Sequence, residues 1–191
     1  MARGNRVVLI RHAETAWSRS GQHTSFTDIP MTEAGREVAR GLAPVLADWD
    51  FSLVLTSPLQ RARETADLAG FGAIAELDAG LTEWNYGAYE GITTAEIRET
   101  VPGWTVFTHP CPGGETAEEV SARVDLVLER ARAADGDVAL FAHGHIGRVI
   151  VSRWNGLAAT EGKHFVLSTG RLTVLGWERE SPAILRLNAP S

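Results

Sequence analysis

Three short apolar runs constrain this chain most: Val7-Val8-Leu9-Ile10, Leu53-Val54-Leu55-Thr56 and Val138-Ala139-Leu140-Phe141-Ala142. None alternates apolar with polar residues, so each predicts a strand covered on both faces, as in a parallel sheet. Helical spacing lies between them. Thr32 is placed to cap a helix carrying Val38, Leu42, Val45, Leu46 and Trp49 on one face, with Pro44 expected to kink or restart it. Thr116 and Glu119 form a capping box ahead of Val120, Val124, Val127, Leu128 and Ala131. The final segment reads as two strands around a tight turn at Glu178-Arg179-Glu180-Ser181-Pro182. Strands alternating with helices predict an α/β fold, a three-layer α/β/α sandwich around a doubly wound, mostly parallel sheet. Residues 82–118 break the pattern with Trp84, Tyr86, Tyr89, Trp104 and Phe107 among Pro-Gly and Gly-Gly pairs. That stretch reads equally as a lid or substrate wall and as plain surface packing. We expect one domain over residues 1–191, with this irregular insertion inside it.

Charge and cysteine usage narrow the partners. The 18 Lys and Arg against 24 Asp and Glu leave a net charge of −6. An acidic balance argues against nucleic acid or an anionic membrane, yet allows an anionic small molecule in a locally basic cleft. The single cysteine, Cys111, excludes an internal disulfide and suits a reducing compartment. No apolar run reaches membrane-spanning length. The opening M-A-R-G-N-R-V-V-L-I-R-H holds too few aliphatics for a signal peptide, so a cytoplasmic location is expected. Nothing in the sequence sets an oligomeric state.

The residues that follow the apolar runs point to chemistry. In open α/β sheets, ligands bind outside the carboxyl ends of the strands. The first run ends in Arg11-His12, the second leads through Ser57-Pro58-Leu59-Gln60 to Arg61, and the third ends in His143-Gly144-His145. Together they describe an anion site on one rim. Ser57-Pro58-Leu59-Gln60 reads as N-cap, first-turn proline and capping-box glutamine, which puts Arg61 in the first turn of a helix, where an anion is welcome. Arg63 lies about 200° further round and should face solvent or a surface carboxylate. Two guanidinium forks match the oxygens of a phosphoryl group. A neutral imidazole beside them can attack phosphorus and divide one displacement into two. There is no G-x-x-x-x-G-K-[ST] or G-x-G-x-x-G pattern to cradle a nucleotide, and no set of residues with metal-ligand spacing. No cofactor is called for.

Four stretches, R-H-A-E-T, S-P-L-Q-R-A-R-E-T-A, L-T-E-W-N-Y-G-A-Y-E-G and F-A-H-G-H-I-G-R, resemble in order and spacing the histidine phosphatase superfamily, in its phosphoglycerate-mutase-like branch. The likeness runs from residue 6 to about residue 150. It implies that His12 is the nucleophile that becomes phosphohistidine. Arg11, Arg61 and His143 would hold the phosphoryl oxygens, and Glu83 would protonate the leaving oxygen and then help deprotonate water. Residue reading alone does not choose Glu83 over Glu90. The resemblance also puts Gly144, Ser18, Thr24 and Ser25 on the substrate side. Three positions depart from the pattern: Ala13 replaces the usual glycine, and Ser18 and Ser25 stand where the mutases tend to have asparagine and glycine. His145 is expected to face the helix behind it.

The mutases of the family are longer, with segments that shield the phosphoenzyme from water. This chain is short there, and its E-W-N-Y-G-A-Y-E-G and H-P-C-P-G-G-E-T segments resemble short acid phosphatases and sedoheptulose-bisphosphatase-type members. The resemblance therefore implies a metal-independent phosphatase for small-molecule phosphate esters such as sugar phosphates. A mutase on the same fold and a non-catalytic phosphate sensor are the alternatives. A bisphosphate substrate would need a second cationic patch, for which Arg98, Arg148 and Lys163 are all candidates.

Overall fold

A computed structural model of the chain describes residues 4–190; Met1 to Arg3, part of the stretch read against a signal peptide, lie outside them. In chain order the elements are β1 (Val7–Arg11), α1 (Ala16–Ser20), α2 (Glu33–Leu46), β2 (Phe51–Thr56), α3 (Gln60–Leu68), β3 (Glu76–Leu77), α4 (Thr94–Thr100), α5 (Ala117–Ala133), β4 (Asp137–Ala142), α6 (Gly144–Trp154), β5 (Leu172–Glu178) and β6 (Ser181–Ala189). They form one six-stranded sheet in the order β3-β2-β4-β1-β5-β6. The first four of these strands run parallel, while β5 is antiparallel to β1 and β6 to β5.

The apolar runs behave as expected of strands buried on both faces. Side chains alternate across a strand, and both sets here meet a core. Val7, Leu9, Leu55, Val138 and Leu140 pack with Val120, Val124 and Val127 of α5 and Ile146, Val149 and Ile150 of α6. Val8, Ile10, Val54, Ala139 and Phe141 pack with Leu42 and Leu46 of α2 and Ala66 of α3. Register then aligns the strand ends: Arg11 pairs with Ala142, and Thr56 with Phe141. The loops after β1, β2 and β4 therefore leave the sheet side by side.

Some local expectations change. Helix α2 runs unbroken through Pro44, and Val38 and Val45 are exposed rather than buried. Its buried face is Gly35, Ala39, Leu42 and Leu46, because the register starts from the Thr32 cap. Proline removes one N–H in the last turns, where water can serve the freed carbonyl. The Thr116–Glu119 capping box of α5 forms as read. Ser57 is not the N-cap of α3: the helix begins at Gln60, with Leu59 as a cap that makes no side-chain bond. The reason is competition, since the Ser57 hydroxyl takes the Leu59 N–H at 3.3 Å and the His143 ring at 2.8 Å. Arg61 remains in the first turn. Residues 82–118 are less irregular than expected. They contain α4 and a 3-10 turn at Gly87–Tyr89, and Trp84, Tyr86, Trp104 and Phe107 are buried in the same core as α5 and α6.

Candidate active site

His12 leaves the end of β1 with its backbone N–H on the Ala142 carbonyl at 2.9 Å, so the sheet itself fixes where its side chain starts. The ring is only 5% exposed. Its Nδ1 lies 2.7 Å from the Ala13 carbonyl. A carbonyl can only accept, so Nδ1 carries the proton and Nε2 keeps a free lone pair. Burial, then the nearby charges of Arg61 and Arg11, hold the His12 pKa well below the ordinary imidazole value of 6.5. The result is a neutral ring whose basic nitrogen is the one not tied to the backbone. Ala13 does not take up a left-handed backbone: among the described residues other than glycine, only Arg179 and Asn188 have positive φ.

The cations converge on this ring from separate elements. Arg11 donates from Nη1 to the Leu167 carbonyl at 2.6 Å, and its buried Nε has no partner. Arg61 is fully buried. It donates to the carbonyls of Thr24, Ser25 and Thr27 at 3.1–3.3 Å, and from Nε to His143 Nδ1 at 3.1 Å. That last bond fixes the tautomer of His143: Nδ1 accepts, so Nε2 holds the proton and faces the Ser57 hydroxyl. Burial, then Arg61, pushes the His143 pKa well below 6.5. The His12 and His143 ring centres stand 5.1 Å apart. Thr65, in the first turns of α3, accepts from the Ala13 N–H at 3.2 Å and donates to the Arg61 carbonyl at 2.7 Å, tying both site segments together. Arg63 is exposed, as its angle on the helix required.

Glu83 is the carboxylate brought to the site. Its Oε1 accepts from the Trp84 and Ile146 N–H groups at 2.9 and 2.8 Å, and its Oε2 from His145 N–H at 3.0 Å. It thus caps the start of α6, where the helix leaves N–H groups unsatisfied and His143 offers no side-chain cap. Oε2 keeps the spare lone pair. The backbone under Glu83 is clamped by Arg123 of α5, which donates to the carbonyls of Gly80, Thr82 and Glu83 and to the Glu115 carboxylate at 2.7–3.3 Å. Glu90 serves elsewhere, accepting from the Ser25 and Thr27 N–H groups and the Ser25 hydroxyl and so pinning that loop.

A cleft of about 150 Å³ opens over His12, lined by Arg11, Ser18, Gly21, Gln22, His23, Thr24, Glu83, Tyr86, Gly144, His145 and Arg148. Of the residues expected on the substrate side, Gly144, Ser18 and Thr24 line it. Ser18 spends its hydroxyl on Thr15 in the capping box of α1. Ser25 is buried, with its hydroxyl on Glu90. His145 does not turn to the helix behind it: the ring lines the cleft, 2.6 Å from the Tyr86 hydroxyl. Tyr86 claims it because burial leaves that hydroxyl no water. His23 stacks on Tyr86 at 4.7 Å and completes an aromatic wall that residue reading missed. Only the aromatic enrichment of the 82–118 stretch hinted at it. Among the three candidate cations, Arg148 lines the cleft, whereas Arg98 is exposed and bonded to the Trp104 carbonyl, and Lys163 is exposed beside Glu161. Among the described residues, no group of three or more His, Cys, Asp or Glu is arranged to hold a metal ion, and no helix is long and apolar enough to cross a membrane.

A neutral imidazole with a free Nε2, flanked by the part-buried Arg11, the buried Arg61 and a carboxylate, suits transfer of an anionic group. Comparison with known proteins agrees. An acid phosphatase of Mycobacterium tuberculosis is 39% identical over 92% of this chain and 88% of that protein. The sedoheptulose 1,7-bisphosphatase of Saccharomyces cerevisiae is 33% identical over 80% of this chain and 68% of that one. A 2,3-bisphosphoglycerate-dependent phosphoglycerate mutase of Gloeobacter violaceus is 30% identical over 76% and 73%. The solved structure of an open reading frame of Mycobacterium tuberculosis matches with a TM-score of 0.94 at 37% identity, over 98% of this chain and 99% of that one. Residues 7–190 match the family model described as histidine phosphatase superfamily, branch 1. The chain belongs to the histidine phosphatase superfamily.

Proposed function

We propose that residues 1–191 act as one catalytic unit that hydrolyses small-molecule phosphomonoesters through a phosphohistidine on His12. The observation that carries this reading is the 2.7 Å contact of His12 Nδ1 with the Ala13 carbonyl, which leaves Nε2 as the nucleophile. The phosphoryl group docks over Nε2, where Arg11 offers its unpartnered Nε–H and Arg61 its remaining N–H. His143 adds the Nε2–H it shares with Ser57. These charged donors stabilise the oxygens as phosphorus passes between nucleophile and leaving group. The Nε2–P bond forms as the P–O ester bond breaks, and Glu83 Oε2 gives its proton to the departing alkoxide. Water then attacks the phosphohistidine, Glu83 takes its proton, and inorganic phosphate leaves. The arginines supply the positive charge, so activity is expected to survive excess chelator.

Rapid-quench turnover of a phosphorus-labelled ester tests this. Wild-type protein should accumulate an acid-labile, alkali-stable label, and His12→Ala should lose it and lower turnover by about 10⁴-fold. Undiminished turnover without His12 would overturn the reading. The mutase relatives motivate one further arm, 3-phosphoglycerate with a trace of 2,3-bisphosphoglycerate. Release of phosphate is expected; isomer without phosphate would assign a mutase instead.

A further inference from the structure

The carboxylate that serves the leaving oxygen sits on backbone that no regular element holds. Glu83 follows a 3-10 turn at Ala79–Leu81, and residues 82–86 belong to no helix or strand. Carbonyls outside regular structure need partners when water is excluded. One side chain supplies them. An arginine has five N–H donors, and Arg123 engages them all. Its Nη1 donates to the Gly80 and Thr82 carbonyls at 2.8 and 2.7 Å, and Nη2 to the Glu83 carbonyl at 3.3 Å. The Nε–H and the remaining Nη2 N–H meet the Glu115 carboxylate at 2.7 and 2.9 Å. Glu115 closes the clamp from beyond Glu83. Its Oε2 accepts from the Asn85 N–H at 2.8 Å, its carbonyl accepts from Trp84 Nε1–H at 2.9 Å, and its own N–H donates to the Asn85 carbonyl at 2.9 Å. The backbone on both sides of Glu83 is thereby tied to a single ion pair.

That ion pair is firmly rooted, and it lies outside the cleft. Val120, Val124 and Val127, which flank Arg123 along α5, are buried in the core. Residue 80 rests so closely on this helix that a Cβ there would fall 2.6 Å from the Val127 side chain. Neither Arg123 nor Glu115 lines the cleft over His12. What they fix is the point from which the Glu83 side chain starts. Its carboxylate then spans to the N–H groups of Trp84, His145 and Ile146. Those bonds hold the tip, and the Arg123–Glu115 pair holds the root. Proton transfer to a departing oxygen demands hydrogen-bond reach, and a misplacement of about 1 Å can cost on the order of 100-fold in rate.

We propose that Arg123, together with Glu115, is a positioning residue for proton transfer by Glu83. This rests on the phosphatase reading, in which Glu83 protonates the leaving oxygen. The leaving group supplies the test. An alkyl ester needs that proton as its P–O bond breaks, whereas 4-nitrophenoxide departs without one. The probes are 4-nitrophenyl phosphate and one alkyl ester, glycerol 3-phosphate or fructose 6-phosphate, whichever turns over faster. The ratio kcat/KM reports the steps up to alcohol release, so the later attack of water does not enter. Glu83→Gln should lower kcat/KM for the alkyl ester by about 10²- to 10⁴-fold, and for the nitrophenyl ester far less. Arg123→Gln should repeat this selectivity at about 10- to 100-fold. Arg123→Lys, which keeps the charge but not the planar fork, should recover part of the loss. In the Glu83→Gln background, Arg123→Gln should add no further selective loss. Equal slowing of both esters by Arg123→Gln, or selective losses that simply add, would overturn the proposal in favour of a structural arginine. Should Arg123→Gln fail to fold, Glu115→Gln, which leaves the guanidinium on its carbonyls, is read against the same two outcomes. A Glu83→Gln variant that slows both esters alike removes the acid role and the proposal with it. If wild-type protein releases phosphate from none of these esters, the phosphatase reading itself fails, and this proposal falls with it.

Discussion

The Ala13 methyl is fully buried against Met31 and Ala39, while its carbonyl orients His12 and its amide meets Thr65. The family's usual glycine therefore supplies neither a special backbone angle nor space that alanine lacks here. Ala13→Gly should cost about 1–2 kcal/mol, from the lost buried methyl and the freer unfolded chain. It should not raise turnover. Urea midpoints and steady-state rates check both; faster turnover would mean that the methyl restrains His12 after all. At this scale the residues on strand ends were legible, because a run of aliphatics that stops at Arg11, or at His143, announces a rim. His23 and Ser25 were not readable in the same way. Their loop has no periodicity, and what places it is a long-range partner, Glu90 for Ser25 and Tyr86 for His23.

Helix α6 carries much of the site through its first turns. Glu83 answers its free N–H groups, Gly144 passes under Arg11, and Arg148 follows one turn later. A Cβ at residue 144 would lie 3.2 Å from the Arg11 guanidinium carbon and 3.3 Å from its Nε. The guanidinium cannot simply drift, because Nη1 is anchored on Leu167. Gly144→Ala should thus lower kcat/KM by about 10-fold through a shift of a few tenths of an ångström at Arg11. Stability should hold or rise, since alanine suits a helix better than glycine. A variant with unchanged kcat/KM would show that Arg11 does not need its present angle. The start of α6 also explains why Arg148 could not be chosen from sequence. With the helix beginning at Gly144, residues 144 and 148 share a face; without that boundary, position 148 points anywhere. The α3 cap failed for a related reason, as Ser57 had a tertiary suitor in His143 that no local pattern reveals. Arg123 was hidden likewise, since nothing local joins α5 to the carbonyls of residues 80–83.

For the molecule as a whole, the sheet was the most legible feature, because strands with no polar face leave helices on both sides as the only cover. Its consequence is that the rim sits deep, with His12, His23 and His143 buried and His145 part-buried, all held below the ordinary imidazole pKa chiefly by burial. Linkage gives the sign. Their folded pKa values lie below the unfolded value of about 6.5. Over the window between the two, the unfolded chain binds more protons than the native one, so stability rises with pH. It is complete above about pH 6.5 and is lost as pH falls toward the folded values. Each such imidazole steepens the loss by about tenfold in the folding constant per pH unit. The pKa of Asp137 is also lowered, but it acts further down, below about pH 4. Urea midpoints measured from about pH 7.5 to about pH 5.5 should therefore fall steeply. Saturating inorganic phosphate should raise those midpoints and flatten their slope. It binds the native state alone, and a dianion beside His12 makes protonation there less costly. A flat profile without phosphate would mean that these rings accept protons in place. A slope that phosphate leaves unchanged would mean that the histidines which set acid stability are not those that meet the substrate.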